Sequence, residues 1–184
     1  MMTYFRYCVL AAASWCLCVI GAVILLPLLV CVELTAYYAP LPKWARWFDN
    51  DIEPLGDYAR KPAILAATGL KRVWLRYVWL GWRNPANNFG VVAAINRVES
   101  DKLELSGNQR VSDQGEQGKK FNRLMNGERM MAFEYYYVRV YRFFGARCLR
   151  VRLGWKLDDT PARLVCVINP LMPYTGAAHD TRTN

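Results

Sequence analysis

The feature that most constrains this chain is a stretch near its beginning, residues 7–32, that contains no charged side chain. An α-helix rises about 1.5 Å per residue, so this stretch is longer than a bilayer hydrocarbon core of roughly 30 Å. A cleavable signal peptide has a shorter apolar core, of about 7–15 residues, that is followed by small residues. Here the side chains stay bulky from Leu25 to Val32. We therefore predict a retained transmembrane helix, residues 1–34, that contacts the lipid bilayer.

Basic residues near the ends of this helix predict its orientation. Arg6 is the only basic residue before the apolar stretch, whereas Lys43 and Arg46 follow it. Because Lys and Arg concentrate in cytoplasmic segments, we predict a single-pass protein whose C-terminal domain lies in the cytoplasm. Small residues at Gly21 and at positions 11–14 allow two such helices to approach closely, so a homo-oligomer formed through this helix is a further expectation.

Charge and cysteine content restrict the rest of the chain. Its 184 residues carry a formal net charge of +9, most of it after the apolar stretch, which favours nucleic acid, anionic lipid or an acidic protein as partner. Only two of the six cysteines, Cys148 and Cys166, lie outside that stretch. Both alternate with apolar residues, so we interpret them as reduced core residues rather than as a disulfide framework.

Residues 35–85 are predicted to form one or two amphipathic helices beside the membrane. The second helix, residues 63–82, would turn Arg72 away from an apolar face that includes Val73 and Trp74. Tryptophan beside Lys and Arg is typical of the headgroup layer, although aromatic packing on the protein core is the alternative. The predicted interface residues are Trp44, Trp47, Trp74, Trp79 and Trp82.

Residues 86–174 are predicted to form a small antiparallel β-sheet, which makes the fold class α+β. We expect a short strand at 91–95, a mobile polar loop at 106–120, a hairpin of 133–143 with 147–157, and a strand at 163–168 that ends at Asn169 and Pro170. Residues 175–184, with the single histidine His179, are expected to be a flexible tail.

The hairpin carries the candidate binding surface. A two-residue turn at Gly145 and Ala146 would pair Val140 with Val151 and Arg139 with Arg152, and would bring basic and tyrosine side chains onto one face. Arg and Tyr on a sheet can contact phosphates and stack on bases or headgroups, although an ordinary solvated sheet face has the same pattern. The residues predicted to bind a protein or anionic partner are Tyr135, Tyr137, Arg139, Tyr141, Arg150, Arg152 and Lys156.

Catalytic and metal motifs are missing from the sequence. The single His179 lies in the tail, and neither a nucleophilic triad, nor cysteines at metal-ligand spacing, nor a phosphate-binding glycine loop is present. The sequence therefore predicts a protein that is not an enzyme and that has no catalytic residues, cofactor or metal.

Three segments, residues 82–89, 152–156 and 168–170, resemble a family of short membrane-anchored proteins of tailed bacteriophages, a domain of unknown function. The resemblance covers about residues 41–173 and implies a phage origin. We hypothesise a non-enzymatic accessory protein in the host inner membrane that binds a host or phage protein. The alternatives are a structural component of the virion or of its genome-ejection machinery, and a membrane tether for nucleic acid.

Overall fold

The computed structural model describes residues 2–35, 41–48, 64, 66–83, 87–141 and 147–176. The chain divides into two compact units: the sheet unit, residues 1–8 with 94–184, and the helical unit, residues 9–93. A long apolar helix, short helices and a five-stranded antiparallel sheet confirm the predicted α+β class.

Helix α1, Met2–Thr35, is the long apolar helix and passes from the sheet unit into the helical unit after Cys8. Its 34 residues extend over about 51 Å and include Pro27. One stripe of the helix is buried, at Tyr7, Ala11, Leu25 and Leu29. Large apolar side chains on the rest of its circumference are exposed: Met2, Tyr4, Phe5, Val9, Trp15, Val19, Ile20, Val23 and Leu26.

The helical unit adds short helices to α1. They are a 3-10 helix, Lys43–Phe48, the α-helix α2, Gly69–Tyr77, a π-helical continuation, Val78–Arg83, and α3, Asn87–Val92. The core consists of Leu25, Leu29, Leu41, Ala45, Phe48, Val73 and Leu80. Gly21 packs against Phe48, and a Cβ atom there would lie 2.7 Å from Phe48 Cδ1.

Two predictions for this unit are wrong. Arg72 is buried rather than turned away, because Glu33 supplies a counter-charge to it. No strand forms at 91–95: residues 91 and 92 end helix α3, and Ile95 makes only an isolated bridge with Ala162. Stacking of Phe89 on Trp47, with ring centroids 5.9 Å apart, holds α3 in the helical unit and overrides the β preference of its valines.

Five antiparallel strands form the sheet in sequence order. They are β1, Asp101–Glu104, β2, Gly118–Asn126, β3, Arg129–Val140, β4, Arg147–Lys156, and β5, Arg163–Pro173. The last strand runs past the predicted end at Asn169 and Pro170, because β5 is an edge strand and proline is tolerated at a sheet edge. The predicted loop at 106–120 is also wrong at its end, where β2 begins.

The predicted register between β3 and β4 is wrong by three residues. Val140 pairs with Cys148 and Tyr136 with Arg152, so Arg139 faces Leu149 instead of Arg152. An odd shift exchanges the side chains that share a face. The observed register avoids opposed arginines and brings Arg152 to Glu134, which the predicted register would not do. Residues 142–146 of the connection, with the predicted turn, lie outside the described residues.

Candidate functional site

The corrected register gives the sheet two chemically different faces. The charged face carries Lys120, Asn122, Glu134, Tyr136, Arg150 and Arg152. The aromatic face carries Phe121, Phe133, Tyr135, Tyr137, Val151, Leu153, Trp155 and Ile168. The residues predicted to form one binding surface are therefore divided between opposite faces of the sheet.

Glu134 is the centre of the charged face. Its side chain is 1% exposed, and its carboxylate accepts a hydrogen bond of 2.8 Å from Arg152 Nε and pairs with Lys120 Nζ at 3.5 Å. Arg152 also contacts Asp158 at 3.1 Å and lies over the ring of Tyr136, 4.9 Å from its centroid. A buried carboxylate needs such partners, since an unpaired buried charge is strongly unfavourable.

The segment 106–117 covers this face and is not a detached loop. The Tyr136 hydroxyl donates to Asp113 Oδ1 at 2.7 Å, Arg150 pairs with the same carboxylate at 3.3 Å, and Asn122 donates to Gln109 at 2.9 Å. Burial, reinforced by the hydrogen bond to Asp113, raises the pKa of Tyr136 to about 12. Val111 of the same segment enters the apolar core of the sheet unit.

Three predicted binding residues are consequently engaged within the protein. Arg150 pairs with Asp113, Arg152 with Glu134 and Asp158, and Lys156 with Asp159 at 3.6 Å. Burial opposes ionisation of Asp158, but the Arg152 guanidinium, a backbone hydrogen bond and the charges of Lys120 and Lys156 together outweigh it and lower the pKa of that carboxyl. These cations are already balanced by acidic side chains, so the charged face is an internal polar layer and offers little net charge to a partner.

One end of the aromatic face is filled by the beginning of α1. The ring of Tyr7 lies 5.1 Å from that of Phe133 and 5.6 Å from that of Trp155, and the Tyr7 hydroxyl donates to the Val165 carbonyl at 3.3 Å. Tyr4 packs on Phe133 at 5.0 Å, and the Thr3 hydroxyl donates to the Met130 carbonyl. The first residues of α1 are thus part of the core of the sheet unit.

The other end of the aromatic face is the open end, formed by Lys119, Tyr135, Tyr137, Arg139 and Ile168. The two tyrosines are half-buried, whereas Lys119, Arg139 and Ile168 are exposed. Of the predicted set, this surface keeps Tyr135, Tyr137 and Arg139 together, and Lys119 joins them from β2. Tyr141 follows β3, where its backbone N–H donates to the Arg147 carbonyl at 2.9 Å.

The predicted interface tryptophans belong to the helical unit. Trp44, Trp47 and Trp74 are exposed, and Trp79 is partly buried against the core of that unit. The side chain of Trp82 lies outside the described residues. Three of the five rings are therefore accessible to a headgroup layer.

Sequence reasoning missed the acidic residues that organise the charges. In the helical unit, Glu33 pairs with Arg72 at 3.0 Å and with Arg76 at 3.1 Å, and both arginine side chains are at most 2% exposed. The sequence signal for this ion-pair cluster was the single acid Glu33 at the end of one apolar segment, together with Arg72 and Arg76, four residues apart, in another apolar segment. Glu134, within an aromatic strand, was the corresponding signal in the sheet.

Comparison with protein families gives a match over residues 1–176, which is nearly the whole chain. The chain belongs to DUF7338, a family of unknown function. This match includes α1 and all five strands, so the DUF7338 region contains both compact units except for residues 177–184. Neither the curated proteins nor the solved structures contain a match to the chain.

Two further observations concern the described residues. Among them, one helix, Met2–Glu33, is long and apolar enough to cross a membrane, and only 22% of its most apolar window is buried. Across the described part of the chain, no three His, Cys, Asp or Glu side chains lie close enough together to hold a metal ion.

Proposed function

We propose that this protein is a non-enzymatic, membrane-anchored binding protein. The observation that carries the proposal is α1: it has no charged residue from position 7 to 32, exposes large apolar side chains along its length, and begins inside the sheet unit. A helix that is apolar on all sides and mostly unburied is typical of a lipid-embedded segment.

The contacts of Tyr7 support a retained helix. Cleavage of α1 as a signal peptide would remove the ring that covers Phe133 and Trp155, two residues buried in the sheet unit. The low burial of α1 likewise argues against a core helix of a soluble protein. Retention leaves a sheet unit held at a membrane, which is the arrangement expected of an accessory protein that recruits a partner.

We assign partner binding to the open end of the aromatic face. Tyr137 and Ile168 provide apolar contact area, while Lys119 and Arg139 supply two exposed positive charges beside them. Tyrosine and arginine are common anchors of protein interfaces, and the exposed charges favour an acidic partner surface. Arg150, Arg152 and Lys156 would act indirectly, by holding the sheet together.

The proposal includes a phage origin and a location in the host inner membrane, with the sheet unit in the cytoplasm. They are supported by the resemblance of residues 82–89, 152–156 and 168–170 to proteins of tailed bacteriophages and by the basic residues after α1. A virion or genome-ejection component is the rival function. Mass spectrometry of purified particles separates the two, because stoichiometric presence in particles would contradict an accessory role.

The test is affinity purification of the tagged protein from phage-infected cells after detergent solubilisation. We expect a specific protein to copurify and to be lost when Lys119→Glu and Arg139→Glu are combined. The control combines Lys102→Glu with Arg129→Glu, which makes the same charge change at two other exposed sheet positions. Equal recovery of a partner by both variants would exclude the open end as the binding surface. Binding of nucleic acid that weakens steeply with salt would favour a nucleic-acid tether instead.

Membrane anchoring is tested separately by extracting membranes with alkaline carbonate and by determining the mass of the mature protein. We expect the chain to remain in the membrane pellet with residues 1–35 present. Release into the supernatant, or a mass that lacks α1, would contradict the proposed anchor.

A further inference from the structure

We propose that the helical unit contains a binding site for an anionic phospholipid. One acyl chain occupies a cavity beside the C-terminal end of α1, and the headgroup lies at the mouth of that cavity. The proposal rests on the proposed function in one respect, namely that α1 is embedded in a lipid bilayer. Its other premises are the volume, lining and surroundings of the cavity, which lie entirely within the helical unit.

The cavity has a volume of about 370 Å³ and lies between the C-terminal end of α1 and the beginning of α2. Small-molecule pockets have volumes of about 300–1,000 Å³ and are lined mainly by apolar side chains with a few polar groups. This cavity is at the lower end of that range, which suits one apolar chain rather than a whole phospholipid. Its lining is predominantly apolar and consists of Val30, Glu33, Thr68, Gly69, Leu70, Arg72 and Val73.

Buried side chains form the inner wall of the cavity. Val73 is 4% exposed and belongs to the core of the helical unit. The Glu33 carboxylate pairs with Arg72 at 3.0 Å, and Arg72 Nε donates to the Ala67 carbonyl at 2.7 Å. Because these polar groups are bonded to one another, an apolar chain can lie against the wall without breaking an ion pair.

Exposed residues form the mouth of the cavity. Thr68, Gly69 and Leu70 are all exposed, and Leu70 reaches 77%. No heavy atom of the described residues lies within 4 Å of the position that a Cβ atom on Gly69 would occupy. The cavity is therefore open to a molecule that enters beside the beginning of α2.

The mouth is continuous with apolar surface that we propose to lie in lipid. Val30 lies on the same side of α1 as the exposed Val23 and Leu26, since residues three, four and seven positions apart share a face of a helix. On α2, the exposed Leu70 is followed four residues later by the exposed Trp74. Acyl chains around α1 are therefore the apolar molecules nearest to the cavity, and one of them can enter it along this surface.

Lys71 supplies the charge that favours an anionic headgroup. Its side chain is exposed, and no acidic side chain of the described residues forms an ion pair with it. Lys71 follows Thr68 by three positions, so the two side chains are neighbours at the mouth. An ammonium group and a hydroxyl can both donate hydrogen bonds to the phosphate of a lipid whose chain lies in the cavity.

The test is native mass spectrometry of the full-length protein in detergent, titrated with phosphatidylglycerol. Phosphatidylcholine with the same two acyl chains is the comparison lipid, because its headgroup has no net charge. We expect one phosphatidylglycerol to bind about fivefold more tightly than phosphatidylcholine, and we expect Lys71→Gln to remove that preference. Lys43→Gln, the same change at another exposed lysine of the helical unit, should leave the preference unchanged.

Two further variants test the cavity itself. Val30→Phe fills it with an aromatic ring and should abolish lipid binding, whereas Val23→Phe adds the same ring outside the lining and should not. Leu70→Glu changes an exposed residue at the mouth, away from the core, and places a carboxylate beside the headgroup. It should also abolish binding of phosphatidylglycerol, whereas Val92→Glu, at an exposed position of α3 outside the lining, should not.

Other results have distinct meanings. Lipid binding that survives in both Val30→Phe and Leu70→Glu would overturn the cavity as the site. Equal affinity of the unaltered protein for the two lipids would overturn the anionic headgroup. A protein that binds no lipid but remains in the carbonate-extracted membrane pellet would overturn this inference and leave the proposed anchor intact. Release from that pellet would overturn the anchor and, with it, the premise that acyl chains surround α1.

Discussion

At the scale of single residues, close backbone approach and charge pairing dominate this protein. Gly154 has a φ of +100°, and a Cβ atom there would collide with the carbonyl oxygen of Phe133 on the neighbouring strand. Gly127, in the connection between β2 and β3, also has a positive φ, of +57°, but nothing lies within 4 Å of the corresponding Cβ position. Substitutions at the two glycines therefore distinguish the energetic cost of a left-handed backbone from the added cost of a steric collision.

We predict that Gly154→Ala lowers the free energy of unfolding of the sheet unit by at least about 2 kcal/mol, since strain and collision add. Gly127→Ala should cost only about 1 kcal/mol, the strain of a left-handed backbone alone. Thermal unfolding of the detergent-solubilised protein, followed by near-ultraviolet circular dichroism, measures both. Equal losses for the two variants would mean that the close approach of Gly154 to β3 is absent in solution.

At the scale of elements, α1 has two roles along its length. Its first two turns are core of the sheet unit, where Tyr7 is 8% exposed, and its remainder forms the core of the helical unit through Leu25 and Leu29. Phe5 lies on the same two turns, yet is 72% exposed. The pair Tyr7 and Phe5 can therefore show whether the contacts of α1 with the sheet stabilise the sheet.

We predict that Tyr7→Ala destabilises the sheet unit by about 3 kcal/mol, because it leaves a cavity over Phe133 and Trp155 and deprives the Val165 carbonyl of a donor. Phe5→Ala, the matched control, should change stability by less than about 0.5 kcal/mol. Limited proteolysis of strands β3 to β5 reports the difference. Protection of the sheet in both variants would show that it is stable without α1.

At the scale of the whole molecule, two buried charge clusters, one in each unit, hold together segments that are distant in sequence. Glu134 joins β2, β3 and β4 through Lys120 and Arg152, and Glu33 joins α1 to α2 through Arg72 and Arg76. Buried charge clusters add little net stability over apolar side chains of similar size, but breaking one is costly. They therefore specify which segments pair.

We predict that Glu33→Gln destabilises the helical unit by about 3–5 kcal/mol, because two buried arginines lose their shared carboxylate. The control replaces the cluster with apolar residues, combining Glu33→Leu, Arg72→Leu and Arg76→Met, and should recover most of that loss. The amount of full-length protein retained in carbonate-washed membranes measures both. Normal accumulation of Glu33→Gln would show that the carboxylate is not needed.

The sequence by itself determined the class of fold, because its signals are local. An uncharged run of residues dictates a long apolar helix, and alternation of apolar and polar residues after position 131 dictates strands. Residues 106–117 have no apolar periodicity, so the sequence predicts a mobile loop there. The structure instead shows a segment that is ordered by distant partners, since Asp113 contacts Tyr136 and Arg150. Local pattern carries no information on such contacts.

Only the tertiary structure decided the register of β3 and β4, the division of the predicted binding residues between two faces, and the burial of Arg72 and Arg76. Each of these depends on where a single acidic residue, Glu134 or Glu33, finds its counter-charge. Leaving a buried carboxylate unpaired is costly, so the register and the arginine conformations that pair it are favoured over those that the local sequence pattern predicts. Long-range charge pairing, rather than local propensity, therefore determined which of the predicted binding residues remain exposed on the sheet.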